Sequence, residues 1–350
     1  MSYHDFGLSQ CPTIQGRLDA IWNAETRPVE ATPVEDFITS QPNRLQMEVI
    51  KETSKVVEFK AVHSQRYLET DVTEVDGLQC ANEGEVDEVD NTYEIDPREM
   101  LLVGRTIEAH NLTEWCGSNP ELFERTIMDM VDVMDRKVAT KHAGLIAPMF
   151  GKYASNVDGV TNDVLVVSTE DSAYSPDPKA LERISFAFQQ TAYSQPRMIA
   201  AGNDLYQHYR LMLAGCCADS GISLEKIWAQ YGQVVAYDRR LAAELESNGD
   251  ADSLAIQLNS IQPLNYYQSN WKNGVTQASI PDASNYILFG VRSPRYGYIY
   301  DMIIKNECPG KITMNLHSNT KVVSLPDNLF REGDRLFGVK WINAIKVDNS

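Results

Sequence analysis

SNPELFERTIMDMVDVMDRKVATKHAGL, residues 118–145, is the stretch whose reading decides the fold. Ser118-Asn119-Pro120-Glu121 fits a capping box, with proline in the first turn, where its missing N–H is no loss. Glu121 and Glu124 sit near the positive end of the helix dipole. Phe123, Ile127, Met130, Val131, Met134 and Val138 then recur at three- and four-residue spacing, which makes one apolar face. Arg136, Lys137 and Lys141 fall toward the C-terminal half, the favourable sign there, and Pro148 bounds the run. The spacing predicts a helix of about 28 residues, or ~40 Å at 1.5 Å per residue. It reads as a structural beam that needs a core, and it carries no catalytic motif.

Working upstream, residues 45–112 read as one long β-rich excursion. Val57, Phe59 and Ala61 alternate with Glu58, Lys60 and Val62, a strand with one covered face. The return limb is expected over 93–109, with Ile95, Met100, Leu101, Leu102 and Ile107. Between the limbs the charge has almost one sign. Residues 67–99 hold twelve carboxylates, Glu83, Glu85 and Asp87 among them, against Arg98 alone, so this segment supplies −11 of the chain's net −18. A hairpin this polar buries too little apolar surface to stand by itself. Its tip reads as a solvated loop. Asp87, Glu88, Asp90 and Asn91 are oxygen ligands of the type calcium takes, but the glycine-centred twelve-residue EF-hand loop is missing, so no metal site is assigned.

Residues 1–44 look arm-like, with a short helix around 17–24 carrying Leu18, Ile21 and Trp22 on one side. Pro28, Pro33 and Pro42 then punctuate an extended stretch. Trp22, Phe37 and Ile38 are apolar anchors with little local core, suited either to their own subunit or to a neighbour.

Downstream, from Val164, short strands alternate with helices. Strands are expected at 164–167, 197–201 and 234–235, and helices from Asp177-Pro178, from Gly202-Asn203-Asp204 and over 239–245. After Gln262 the chain is mostly β: Tyr298, Tyr300, Met302 and Ile304 alternate, as do Ile312, Met314 and Leu316, and 339–347 continues the sheet. The stretch Asn265-Tyr266-Tyr267-Gln268-Ser269-Asn270-Trp271 offers aromatics in an amide-rich setting, suited to an interface or to a loop over its own core.

Composition narrows the function. An apolar share of 43% and a charged share of 23% are ordinary for a globular chain. The acidic balance argues against tight nucleic-acid binding, which needs clustered cations. No apolar run approaches the ~18 residues of a membrane span, and Met1-Ser2-Tyr3-His4-Asp5 does not begin a signal peptide. Six cysteines and six histidines are scattered, without metal-ligand spacing. Walker, G-x-G-x-x-G, G-x-S-x-G and H-E-x-x-H motifs are absent. Cys216-Cys217 lies toward the end of an expected helix, the wrong pole for a low thiol pKa, while Cys116 precedes the long helix beside Trp115. No catalytic, cofactor or metal residue is assigned.

The order of these parts resembles the major capsid proteins of tailed bacteriophages with the Hong Kong 97-type fold. YDMIIKNECP at 300–309 and LPDNLF at 325–330 resemble those of phages of Bacteroidetes-type hosts. The resemblance implies an α+β capsid fold. Its parts are an N-terminal arm (1–44), an extended two-stranded loop reaching over a neighbour (45–112), a spine helix with peripheral domain (113–160), an α/β axial domain (161–290) and return strands of the peripheral domain (291–350). It further implies a non-enzymatic subunit that assembles with itself, as hexamers and pentamers, into an icosahedral shell around double-stranded DNA. Partners would be a portal, a separate scaffolding protein and decoration proteins, and the place the virion, built in host cytoplasm. Expected interface residues are Trp22, Phe37, Phe59, Glu83, Glu85, Asp87, Arg136, Lys137, Tyr266, Tyr267 and Trp271. Two alternatives stay open: a cytosolic thiol enzyme using Cys116 or Cys217, and a bacterial nanocompartment shell of the same fold.

Overall fold

The computed structural model describes residues 22–23, 30–41, 47–53, 55–64, 88–109, 120–149, 163–165, 167–168, 175–176, 198–207, 210, 234–248, 252–256, 260–267, 286–307, 310–324 and 342–348. Helices and sheets mix in an α+β arrangement. The long helix runs Pro120–Ile146, 27 residues, and ends in a short 3-10 turn at Ala147–Met149 before its backbone could meet the constraints of Pro148. Ile127, Met130, Val131, Met134 and Val138 are all buried, as the spacing predicts.

This helix bridges two cores. Its first two-thirds lie on a sheet built from β4 (Leu101–Ala109), β12 (Tyr286–Arg292), β13 (Ile299–Glu307) and β14 (Gly310–Ser324). There Tyr298, Tyr300, Met302, Ile304, Ile312, Met314 and Leu316 face the helix, so the two alternating runs read from the sequence point inward. Its last turns, with Ala143 and Ile146, join a second core. That core gathers the arm helix α1 (Pro33–Ser40), α3 (Arg239–Asn248), β8 (Met198–Ala201), β10 (Ser253–Ile256) and β11 (Ile261–Tyr266). Val34 and Ile38 of α1 enter this core, so this part of the arm packs on its own chain.

The second core covers a five-stranded sheet in the order β5-β15-β10-β8-β9, with β5 at Asp163–Leu165, β9 at Val234–Tyr237 and β15 at Ile342–Asp348. β8 pairs in parallel with β9, and β15 with β5, while β10 runs antiparallel between. At the start of the helical residues following β8, Gly202 is required by close approach: a Cβ there would stand 1.9 Å from the Asp252 carbonyl oxygen. Its N–H donates to Ser253 Oγ at 2.8 Å.

A third sheet, β1-β2-β3, is formed by β1 (Met47–Glu52), β2 (Val57–Ser64) and β3 (Glu88–Ile95). Three features differ from the sequence reading. Pro33–Ser40, expected to be extended, is the helix α1, with Pro33 in the first turn, where its missing N–H is no loss. The return limb is not one strand: β3 pairs with β2, the chain turns at 96–100, and β4 leaves to pair with β14 from Ala109↔Gly310 to Leu101↔Ser318. The C-terminal strand also leaves its expected sheet, because β15 joins β10 and β5 rather than β14. Alternation announces a strand, but the partner is chosen by contacts far away in the chain. The helix expected from Asp177-Pro178, residues 65–87 of the acidic segment and all six cysteines lie outside the described residues, while Glu88, Asp90 and Asn91, expected in a loop, belong to β3.

Candidate assembly surface and the arm dock

Among the described residues, one face of the β1-β2-β3 sheet is covered. Val57, Phe59 and Ile95 pack against Leu264, Tyr266 and Val323, with Tyr93 alongside. Polar bonds fix this base to the body: Asn319 Nδ2 donates to the Asp96 carbonyl at 3.0 Å, Lys321 Nζ to the Glu94 carbonyl at 3.0 Å, and Tyr266 Oη to Glu52 Oε1 at 2.5 Å. The turn joining β1 to β2 is closed by Thr53, which exchanges backbone and side-chain bonds with Val56. At the other end Asp96 receives Arg98 in a side-chain pair at 2.7–2.9 Å, which holds its carboxyl down at about 2. Among the described residues β1 is the edge of this sheet, with an irregularity between Val49 and Lys51, and Val49 and Ile50 are half exposed. An open, apolar edge is a template for another chain. On the long helix, Arg125, Asp129, Val133 and Lys137 form an exposed stripe at four-residue spacing.

The second feature is a buried polar dock for the arm helix. The turn Ser293-Pro294-Arg295-Tyr296-Gly297-Tyr298 links β12 to β13. It is closed by Ser293 N–H to the Tyr298 carbonyl (2.7 Å) and Gly297 N–H to the Ser293 carbonyl (2.9 Å). Gly297 has φ of +75°, a conformation glycine adopts without a Cβ penalty. The turn then meets the arm with three side chains. Arg295 clasps Asp36 at 3.0 and 2.9 Å and donates to the Glu30 carbonyl. Tyr296 shares a hydrogen bond with Thr32, and Tyr298 donates to Glu35 Oε1 at 2.5 Å. Glu35 also lies 3.0 Å from His142 Nδ1 of the long helix, and both side chains are buried. Asp238, before α3, accepts the Val34 N–H at 3.3 Å, and burial raises its pKa.

Under this turn Asp135 of the long helix is 1% exposed. Its two oxygens accept Ser293 Oγ–H at 2.8 Å and Tyr300 Oη–H at 2.5 Å. Burial outweighs both donors and pushes its carboxyl up to about 7.

Of the interface residues expected from sequence, Phe59 and Tyr266 lie in the chain's own core, 5% and 6% exposed. Trp22 and Phe37 are partly buried against the first and second cores. Arg136 pairs with Asp132 at 3.1 Å, Lys137 is exposed and Tyr267 half-buried. Glu83, Glu85, Asp87 and Trp271 lie outside the described residues. The dock residues Glu35, Asp135, His142 and Arg295 escaped the sequence reading. One signal was available: Asp135 and His142 each fall four residues after an inward-facing valine, Val131 and Val138, so helical phase alone turns them inward. Among the described residues no group of three or more His, Cys, Asp or Glu could hold a metal, and no helix is long and apolar enough to cross a membrane.

No family model matches the chain, and no curated protein matches it. Among solved structures, the chain is similar to one from Microbacterium phage Oxtober96, at 10% identity over 95% of this chain and 99% of that one, with a TM-score of 0.33. It is similar to the capsid structure of the cyanophage P-SCSP1u at 8% identity, over 93% of each chain, with a TM-score of 0.39. The capsid of Ralstonia phage GP4 follows at 11% identity, covering 93% of this chain and 94% of that one, with a TM-score of 0.35. At such scores the likeness by itself decides nothing about this chain.

Proposed function

We propose that the chain is a major capsid protein of the Hong Kong 97-type fold, a structural subunit that assembles with copies of itself into an icosahedral shell around double-stranded DNA. The observation that carries this reading is the division of labour in the molecule. One 27-residue helix contributes to two cores, and a separate three-stranded sheet packs on the body through Val57, Phe59 and Ile95 while Val49 and Ile50 of its strand β1 are half exposed. A projecting sheet of this kind is suited to lie on the next subunit. Phe59 and Tyr266 then serve by holding the base of the sheet, while the acidic 67–99 segment, with Glu83, Glu85 and Asp87, meets cations such as Arg136 and Lys137 of a neighbour.

Exposed ion pairs contribute only ~0.2–1 kcal/mol each. Repetition over hexamers and pentamers and apolar anchoring through Trp22, Phe37, Tyr267 and Trp271 must therefore hold the lattice. A portal, a separate scaffolding protein, decoration proteins and packaged DNA bound without sequence preference complete the proposed partners, in a virion assembled in host cytoplasm. Sizing and negative-stain imaging of the purified protein test it. Closed particles or capsomers are expected, and a chain that stays monomeric under every assembly condition overturns the reading.

A further inference from the structure

The arm helix is a poor helix by its own residues. Pro33–Ser40 reads PVEDFITS, and Val34, Phe37, Ile38, Thr39 and Ser40 are among the weaker helix formers. Isolated helices shorter than about 12 residues are marginal in water. Thr32 stands at the N-cap, but its side chain makes no capping bond and meets Tyr296 and Asp36 instead.

The cap comes from the body. Asp238 is the N-cap of α3: its carbonyl accepts the Ala242 N–H at 2.9 Å, and its side chain accepts the Arg240 N–H at Oδ1, at 3.0 Å, and the Leu241 N–H. The other oxygen, Oδ2, turns to the arm and accepts the Val34 N–H. Val34 is buried, and its N–H is one of the four that a helix start leaves without an intrahelical partner. One aspartate therefore caps two helices, the second of them 204 positions earlier in the chain.

The rest of α1 leans on the body in the same manner. Glu35 and Asp36, its first-turn acids, are held by Tyr298, His142 and Arg295, and Glu30 ahead of it by Arg239 and Arg240 at 3.0 and 2.8 Å. Val34 and Ile38 are its buried share of the second core, whose other buried members come from the long helix and its 3-10 turn, α3 and the strands.

We propose that residues 33–40 are a strap, helical only while seated on the second core, with Asp238 supplying the cap that the arm lacks. The folding of α1 and the closing of the strap are then one event, and its reversal leaves the core beneath intact. The inference concerns contacts within one chain and does not depend on the shell reading.

The test is hydrogen exchange of the full-length chain under native conditions, read residue by residue. A segment that opens as a unit gives its amides a common protection. The amides of 36–40, bonded four residues back, are expected to lie at least about tenfold below those of β8 and β10. Protection equal to that of β8 and β10 overturns the proposal, because the helix then opens only with its core.

Asp238→Asn separates the two caps. Asparagine keeps one oxygen and caps a helix as well as aspartate does, so α3 stays as it is, but the second acceptor is gone and the Val34 N–H is left without one. Protection of 36–40 should fall together by about fivefold or more, while that of α3 holds. Unchanged protection of α1 overturns the proposal, and so does an equal loss in α3, which a general support at 238 predicts. Arg295→Gln loosens the strap from its other side and carries the test if Asp238→Asn does not fold. It should lower 36–40 as a block, with α3, β8 and β10 unmoved. A loss confined to Asp36 would mean a helix that stands without its dock, and overturns the idea.

Discussion

The sheet under the long helix and the sheet that projects from the body are built from similar strands, yet they are held in different ways. In the first, seven alternating inward residues in two runs, Tyr298 to Ile304 and Ile312 to Leu316, meet the first two-thirds of the long helix. In the second, the described core is three residues of the projecting strands on three of the body. The other side of β1 shows Val49 and Ile50 to the outside. The first sheet is covered by a helix of its own chain. The second is a guest on the body, and its stability is set by how well its base is gripped. A hairpin too polar to stand by itself thus finds its first support in its own chain, at Leu264, Tyr266 and Val323.

Four experiments break or sharpen that contrast. Tyr300→Ala should be the costliest, because it empties a fully buried site and strips a donor from buried Asp135. A loss of about 3–5 kcal/mol in global stability is expected from urea unfolding. Phe59→Ala should cost about 2–4 kcal/mol, but only locally. Exchange of amides in β2 and β3 should quicken while the global midpoint stays put, and a midpoint shift as large as that of Tyr300→Ala would show the two regions to be one unit.

Gly202→Ala should cost about 1–3 kcal/mol, since its Cβ would collide with the Asp252 backbone and that carbonyl cannot move aside cheaply. The loss should register in the exchange of β8 and β10. Ile50→Lys, on the open edge, should change monomer stability by less than about 0.5 kcal/mol. Its effect should appear in negative-stain images as lost or malformed particles. Normal particles from this variant would remove the edge from the assembly surface.

Much of the body was legible in the residues. The long helix was readable to within two residues at each end because its apolar period, its start signal and Pro148 all agree. The strands at Val234 and Met198 and the helix at Arg239 were readable as short strands alternating with helices. β10 was missed: Ser253-Leu254-Ala255-Ile256 is only four residues long and buried on both faces, so it shows no alternation to detect. The arm dock was harder still. Glu35, Asp135 and His142 are types that usually mark a surface, and only their partners make their burial tolerable.

Local sequence by itself determined the long helix, the alternating strands over 298–316 and which side of each is apolar, because those properties repeat with the period of the backbone. Tertiary structure alone decided that β3 and β4 part company, that β15 crosses to the sheet of β5 and β10, and that an aspartate and a histidine are sealed beneath a turn. These pairings and the burial of these charges depend on residues distant in the sequence, and periodicity carries no record of them.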